Sequence, residues 1–296
     1  MQQVFFDNIT LDKLTGELFN DHAIDVSVLR LDKIHPVISG NKWFKLKYYL
    51  EDAVTQKKKN IITFGGAWSN HIVATAAACK LCGLNATGII RGEEPATVSP
   101  TLKQAKEMGM QLIFISREDY KTKKIPEIFS PDEYYLIPEG GYGQIGAKGA
   151  AEIYGHCDKE NYTQILCAAG TGTMLAGLIN EAMSQQKLTG ISVLKNNDGL
   201  LENVRCLLKN DSVNFQVIHD YHFGGYAKHT DKLLNFMNKL YDQTGIPSDF
   251  VYTGKLFFAV NDLAEKKFFP KGSKLLLIHS GGIQGNASLD KGRLIF

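Results

Sequence analysis

Short, almost wholly apolar runs alternate along the chain with longer segments whose apolar residues recur at helical spacing. Ile24–Leu31 predicts a strand and Trp43–Gln56 a helix. Asn60–Phe64 predicts a strand that runs into Gly65-Gly66, and Ser69–Cys82 a helix stopped by Gly83. Ala86–Arg91 reads as a strand, Ser99–Met108 as a helix closed by Gly109, and Gln111–Ser116 as another strand. Farther on, Gln164–Ala168 leads through a Gly-Thr turn into a helix over Met174–Gln185, followed by a strand over Ile191–Lys195. This alternation predicts an α/β fold with parallel sheets and helices on both faces. Neither a solenoid repeat nor a low-complexity linker interrupts it.

Open α/β sheets collect ligands where strands end and helices begin. Two such turns are rich in small polar residues: Gly65-Gly66-Ala67-Trp68-Ser69-Asn70 and Gly170-Thr171-Gly172-Thr173. Each can offer backbone N–H groups and hydroxyls at a helix N-terminus, where an anion is stabilised. The second has the form of a phosphate cup, yet it is neither a Walker A loop nor GxGxxG. A plain start of a helix, with glycine supplying a positive φ, explains it equally well.

Composition narrows the classes. The 296 residues suffice for one large domain or two ordinary ones, and 44% hydrophobic with 22% charged residues is normal for a buried core. Thirty-three Lys and Arg against thirty-one Asp and Glu leave a net charge of +2, which argues against a nucleic-acid binder. The runs Lys57–Lys59 and Lys121–Lys124 are expected to be solvated surface. No apolar stretch approaches the roughly 18 residues that cross a bilayer. The N-terminus lacks the pattern of a signal peptide, so a cytoplasmic protein without membrane contact is expected. Five cysteines do not suggest a disulfide framework. Cys79 and Cys82, in an Ala-rich helix, are expected to be core thiols rather than metal ligands. The pair His219 and His222 with Asp220 raises a metal site. However, Val217–Tyr221 reads as a strand, on which positions three apart face opposite ways, so no metal is expected.

Ser39-Gly40-Asn41-Lys42-Trp43-Phe44-Lys45-Leu46 carries the chemistry. A lysine that opens a helix lies at the positive end of its dipole, where an ammonium is disfavoured. Its amine is then available to attack an aldehyde carbon.

Together with four further motifs, this segment resembles the 1-aminocyclopropane-1-carboxylate deaminase and D-cysteine desulfhydrase family of pyridoxal-phosphate enzymes. The family pattern GNKxRKLxxL corresponds to Gly40–Leu50, and GGxQSNH to Gly65–His71. The Gly/Thr phosphate loop corresponds to Gly170–Met174, the late tyrosine motif to Val251-Tyr252-Thr253-Gly254-Lys255, and H-x-G-G to His279–Gly282. The resemblance implies a tryptophan synthase β-like fold of type II, with two unequal open twisted α/β domains. The large one would comprise 1–45 and 146–296, the small one 46–145, with pyridoxal 5′-phosphate in the cleft between them.

By the same resemblance Lys42 holds the cofactor as a Schiff base and later moves protons. Asn70 contacts the cofactor's 3′-oxygen, and Gly170, Thr171, Gly172, Thr173 and Met174 bind its phosphate. Ser69 holds the substrate carboxylate, with Trp68, Asn70 and His71 beside the substrate. Tyr226 and Tyr252 match two active-site tyrosines, each a proton donor, or a base if its pKa is lowered. A homodimer acting on a small amino acid is implied.

Deaminases of the family carry Glu before Gly-Lys and Leu in H-x-G-G, whereas desulfhydrases carry small hydroxyl residues at both places. Here Thr253 and Ser280 stand there. A hydroxyl, unlike a carboxylate, does not keep the cofactor's ring nitrogen protonated. The pattern therefore favours α,β-elimination from D-cysteine over opening of a cyclopropane ring. It leaves open which of the two residues faces that nitrogen. Phe44, Trp68 and Val73 depart from the family's usual Arg, Gln and basic residue, and the chain is shorter than the group's norm. A non-catalytic α/β ligand-binding protein is the alternative of another class, but it would have no use for Lys42.

Overall fold

The computed structural model describes residues 4–210 and 214–296. Ten strands form two sheets. The strands are β1 (Leu11–Lys13), β2 (Asp25–Arg30), β3 (Asn60–Gly65), β4 (Asn85–Arg91), β5 (Gln111–Ile115), β6 (Tyr134–Ile137), β7 (Gln164–Ala169), β8 (Lys187–Ser192), β9 (Asn214–Ile218) and β10 (Lys274–His279). The larger sheet has the order β1-β2-β10-β7-β8-β9, parallel except for the antiparallel edge strand β1. The smaller sheet, β5-β4-β3-β6, is wholly parallel.

The helices are α1 (Glu17–Asp21), α2 (Asn41–Thr55), α3 (Asn70–Cys82), α4 (Pro100–Glu107), α5 (Arg117–Lys121), α6 (Gln144–Ala151), α7 (Thr173–Glu181), α8 (Leu200–Arg205), α9 (Asp231–Thr244) and α10 (Thr253–Glu265). Their ends follow local chemistry. Ser69 caps α3 by accepting from the Ile72 N–H, and Gly83 closes it in the left-handed region at φ 68°. Ser99 caps α4 in the same way, with Pro100 in its first turn.

Central strands read as unbroken apolar runs because helices cover both faces of the sheet. Within β7, Ile165, Cys167 and Ala169 enter one core beside α6, α7 and α8, while Leu166 and Ala168 enter the opposite core beside α10. The alternation repeats in β10, where Leu276 and Ile278 face one way and Leu275 and Leu277 the other. In the small sheet, α2, α3 and α4 pack on one face through Leu46, Leu50, Ile72, Ala76 and Leu102. Tyr120 of α5 joins Ile62, Phe64 and Ile89 on the other.

Four expectations need correction. Helix α7 stops at Glu181 instead of Gln185, because the Gln186 side chain takes over the turn. Its Oε1 accepts from the Met183 N–H, and its Nε2 donates to the Lys159 and Tyr162 carbonyls. Strand β8 runs Lys187–Ser192 rather than Ile191–Lys195, since its polar start pairs between β7 and β9. Strand β9 ends at Ile218, before Tyr221, whose hydroxyl donates to Asp262 Oδ2 at 2.6 Å. Cys82, at the end of α3, is exposed, and only Cys79 of that pair is a core thiol.

Candidate active site

Both sheets have a switch point. β7 is flanked by β8 on one side and β10 on the other, and β3 likewise by β4 and β6. The carboxyl ends of these strands meet at a cavity of about 470 Å³, within the ordinary range for a small-molecule site. Gly66, Arg91 and Glu139 reach it from the ends of β3, β4 and β6, and Gly170, Leu194 and Ser280 from the ends of β7, β8 and β10.

Lys42 lies in the first turn of α2, directly after Gly40 and Asn41. Gly40 has φ 67°, and a Cβ there would stand 1.8 Å from the Ser280 carbonyl oxygen. The Asn41 N–H donates to that same carbonyl at 3.2 Å, so the lysine turn rests on the turn after β10. Lys42 is half-buried, and its free surface faces the cavity. Its Nζ donates to Asn41 Oδ1 at 2.8 Å and lies 5.7 Å from the centre of the Tyr252 ring. Burial pushes the ammonium down to about 8, against the opposing charge of Asp249. At neutral pH such an amine is deprotonated far more often than an exposed lysine.

The other predicted residues divide. Ser69, Asn70, His71, Tyr226, Tyr252, Ser280 and the whole of Gly170–Met174 line the cavity with Lys42. Thr253 does not. It is fully buried at the start of α10, donates to Asp249 Oδ1 at 2.7 Å and accepts from the Asp249 N–H. Trp68 is also outside the wall, and its carbonyl accepts a hydrogen bond from the Tyr226 hydroxyl at 3.2 Å. Burial raises both tyrosines, Tyr226 to about 12 and Tyr252 well above its usual value. Both phenols are therefore hydrogen-bond donors at neutral pH, and neither is poised as a base. Thr63 Oγ1 donates to the Ile137 carbonyl, so the His71 Nε2 beside it carries a proton. Burial, with Lys45 and Lys42 nearby, holds His71 well below its usual pKa, so the ring is neutral. The histidines at 219 and 222 belong to no metal cluster, and no group of three potential metal ligands occurs among the described residues.

Sequence reasoning missed Lys45, Arg91, Glu139 and Lys195, which also line the cavity. Lys45 had a signal: it follows Lys42 by three positions and so shares its helix face. Arg91, closing β4, and Glu139, two residues beyond β6, had the weaker one of standing near strand ends. Lys195 had none. Asp249, fully buried behind the wall, accepts from the N–H groups of Val251, Tyr252 and Thr253. It stands four residues ahead of α10, outside the N-cap position, so no capping pattern marks it in the sequence.

Residues 16–281 match the family model described as pyridoxal-phosphate dependent enzyme. The chain belongs to this family. It is 30% identical over 283 residues to the bifunctional D-cysteine desulfhydrase/1-aminocyclopropane-1-carboxylate deaminase, mitochondrial, of Arabidopsis thaliana, covering 84% of this chain and 70% of the relative. A crystal structure of an ACC deaminase homologue superposes with a TM-score of 0.78 at 30% identity, covering 97% and 91% of the two chains. An O-acetylserine dependent cystathionine β-synthase from Helicobacter pylori, at 18% identity and TM-score 0.67, shares the fold, over 98% of each chain. The fold of type II is thus the observed one. As a pyridoxal-phosphate dependent enzyme the chain requires an anion site and an aldehyde site, and the cavity has the chemistry of both.

Lys45 is buried, and its Nζ donates to the Gly140 carbonyl, the one acceptor it meets among the described residues. Burial, reinforced by Lys42, pushes its ammonium well down, which a phosphate dianion nearby would reverse. The first N–H groups of α7 have no intrahelical acceptors and open on the same cavity. Asn70 Oδ1 and His71 Nδ1 are buried without a hydrogen-bond partner, a state that native sites seldom leave unfilled.

Apo protein is expected to take up pyridoxal phosphate faster as pH rises through about 8 and to level off above it, because a lysine with a lowered pKa is neutral above that value. Growth of the visible absorbance after mixing measures this, and a rate flat from neutral to alkaline pH would contradict the assignment of Lys42.

Proposed function

We propose that the chain catalyses α,β-elimination from a small D-amino acid, D-cysteine first, releasing pyruvate, ammonia and hydrogen sulfide. One observation carries the choice. Of the two hydroxyl positions that distinguish the branches of the family, Ser280 is in the cavity wall and Thr253 is not. When bound, pyridoxal phosphate supplies an electron sink for the pair of electrons released at the amino acid's Cα.

The rest falls to this chain's own residues. Lys42 Nζ takes the proton from Cα, a role suited to an amine with a lowered pKa. The Ser280 hydroxyl would hydrogen-bond the pyridine nitrogen without holding it protonated. The N–H groups of 170–174 would orient the phosphate, and Lys45 would offset its charge. Asn70 would meet the 3′-oxygen. Ser69 and the α3 N-terminus orient the substrate carboxylate. Tyr252, protonated, donates to the thiolate leaving Cβ, while Tyr226, whose hydroxyl donates to the Trp68 carbonyl, closes the substrate side of the cavity. Loss of an α-proton and a thiolate makes smaller demands on the sink than opening a ring that bears no α-proton. The cavity lies between a unit of 46–145 and one of 1–45 with 146–296, and the assembly is a cytoplasmic homodimer. Light scattering and cell fractionation test the last two.

Purified enzyme is expected to release pyruvate from D-cysteine faster than 2-oxobutyrate from 1-aminocyclopropane-1-carboxylate. The reverse order would move the chain to the deaminase reading, which the bifunctional Arabidopsis relative also supports. Ser280→Leu is expected to lower kcat/KM for D-cysteine by about tenfold or more, the effect of one lost hydrogen bond in a closed site. Thr253→Val is expected instead to cost stability, about 1 kcal/mol, with turnover kept. An equal catalytic loss in both variants would remove the basis for the choice.

A further inference from the structure

Lys255, in the first turn of α10, is a lysine with no exposed surface, and among the described residues no carboxylate touches it. Its Nζ meets three backbone carbonyls instead, those of His222 and Gly225 at 2.8 Å and of Val193 at 3.3 Å. Carbonyls only accept, so three of them match the three N–H bonds of a full ammonium. Burying a cation is costly unless its donors are satisfied, and this one is satisfied entirely by chain segments that edge the cavity. Val193 precedes Leu194 and Lys195 of the cavity wall, and Gly225 precedes Tyr226.

The strap clamped in this way is an unusual piece of backbone. Phe223, Gly224, Gly225 and Ala227 all have positive φ, at 51°, 94°, 118° and 51°. For Phe and Ala such angles are unfavourable and persist only where the surroundings fix them. From the strap, the Tyr226 hydroxyl crosses the cavity mouth and donates to the Trp68 carbonyl, in the turn after β3. The strap follows β9 of the larger sheet, so this bond joins the two sheets across the site.

We infer that Lys255 is a positioning residue: its ammonium clamps the 222–227 strap in its strained form and thereby holds Tyr226 across the substrate cavity. Burial lowers this lysine to about 8, so the third N–H, and with it one of the three carbonyl bonds, is lost at alkaline pH. The inference rests on the active-site reading above, but its test is separate. Turnover of D-cysteine and of 1-aminocyclopropane-1-carboxylate by the wild-type enzyme decides that reading, whereas the coupling of Lys255 to Tyr226 decides this one.

The experiment is a double-mutant cycle with Lys255→Met and Tyr226→Phe in the holoenzyme. Lys255→Met is expected to keep the visible cofactor band and raise KM by about tenfold or more, as loss of charge-assisted hydrogen bonds does. In the Tyr226→Phe background the same change should have little further effect. Amide exchange over 222–227 should quicken in Lys255→Met while that of β7 is unchanged. Equal KM penalties in both backgrounds would overturn the inference, as would unaltered exchange in the strap. Lys255→Gln, which keeps two donors, should fall between Met and wild type. If neither variant folds, the lysine serves the core as a whole and the inference is likewise overturned.

Discussion

Lys42→Ala is expected to lower turnover by about a thousandfold or more, the span of an essential general acid–base group, and to remove the yellow colour of the purified protein. Both losses follow from one atom. Lys42 Nζ opens on the cavity, and burial lowers its pKa to about 8. Lys45 lies on the same helix face, but its Nζ is committed to the Gly140 carbonyl. Lys195 reaches the wall from the turn after β8. The variant should stay folded, since among the described residues the Lys42 side chain hydrogen-bonds its neighbour Asn41 alone. Normal circular dichroism with no colour and no turnover is the expected combination. A colourless variant with wild-type turnover would sink the mechanism.

Asp32→Ala is expected to destabilise the protein by about 3–5 kcal/mol, as removal of one partner from a buried ion pair does. The Arg30 guanidinium grips Asp32 through two hydrogen bonds, of 2.8 and 2.6 Å, and reaches Asp12 at 2.8 Å. On its other side Asp32 Oδ1 stands 3.2 Å from His279 Nδ1. The other ring nitrogen, Nε2, donates to the Pro247 carbonyl at 2.7 Å. His279 opens the Ser280 turn on which the Lys42 turn rests, so the variant should lose catalytic efficiency as well as stability. Burial alone would push the Asp32 carboxyl up, but His279 and Arg30 more than offset this, and it lies below its ordinary value of 3.8. A carboxylate lowered on folding stabilises fully above 3.8 and loses that contribution as pH falls through the folded value. Urea unfolding of the two proteins should therefore differ most at neutral pH and converge in strong acid. A gap that stayed constant down to acid pH would assign the loss to packing instead of charge.

Strands β2, β3, β4, β5 and β7 were legible in the sequence because covered parallel strands are apolar without interruption. Ala86–Arg91 and Gln111–Ser116 came within a residue of β4 and β5, and Ser69 and Gly83 marked both ends of α3. Helices α6, α9 and α10 and strands β6 and β10 were not anticipated. For α10 the capping Asp249 stands four residues ahead of the helix, where its role depends on how the backbone turns. The error at Gln186 has the same cause, since a side chain that replaces helical hydrogen bonds is invisible to periodicity. At the site, motifs placed Lys42, Ser69, Asn70 and the 170–174 turn in one wall. Thr253 and Ser280 could not be told apart until the fold turned one inward and the other toward Asp249. Lys255 stood inside a recognised motif, but its three carbonyl partners come from Val193, His222 and Gly225, and no local pattern encodes them.

Strand β10 lies between β2 and β7, in the middle of the larger sheet, although it is the last of the described strands in chain order. The seat beneath Lys42 is the carbonyl of Ser280, some 240 positions downstream. A nascent chain that has emerged only as far as β9 thus possesses the reactive amine but lacks its support. Capture of the cofactor accordingly waits until the chain has emerged past Ser280, and a nonsense mutation ahead of β10 would leave a protein unable to acquire colour however much of the small sheet it formed.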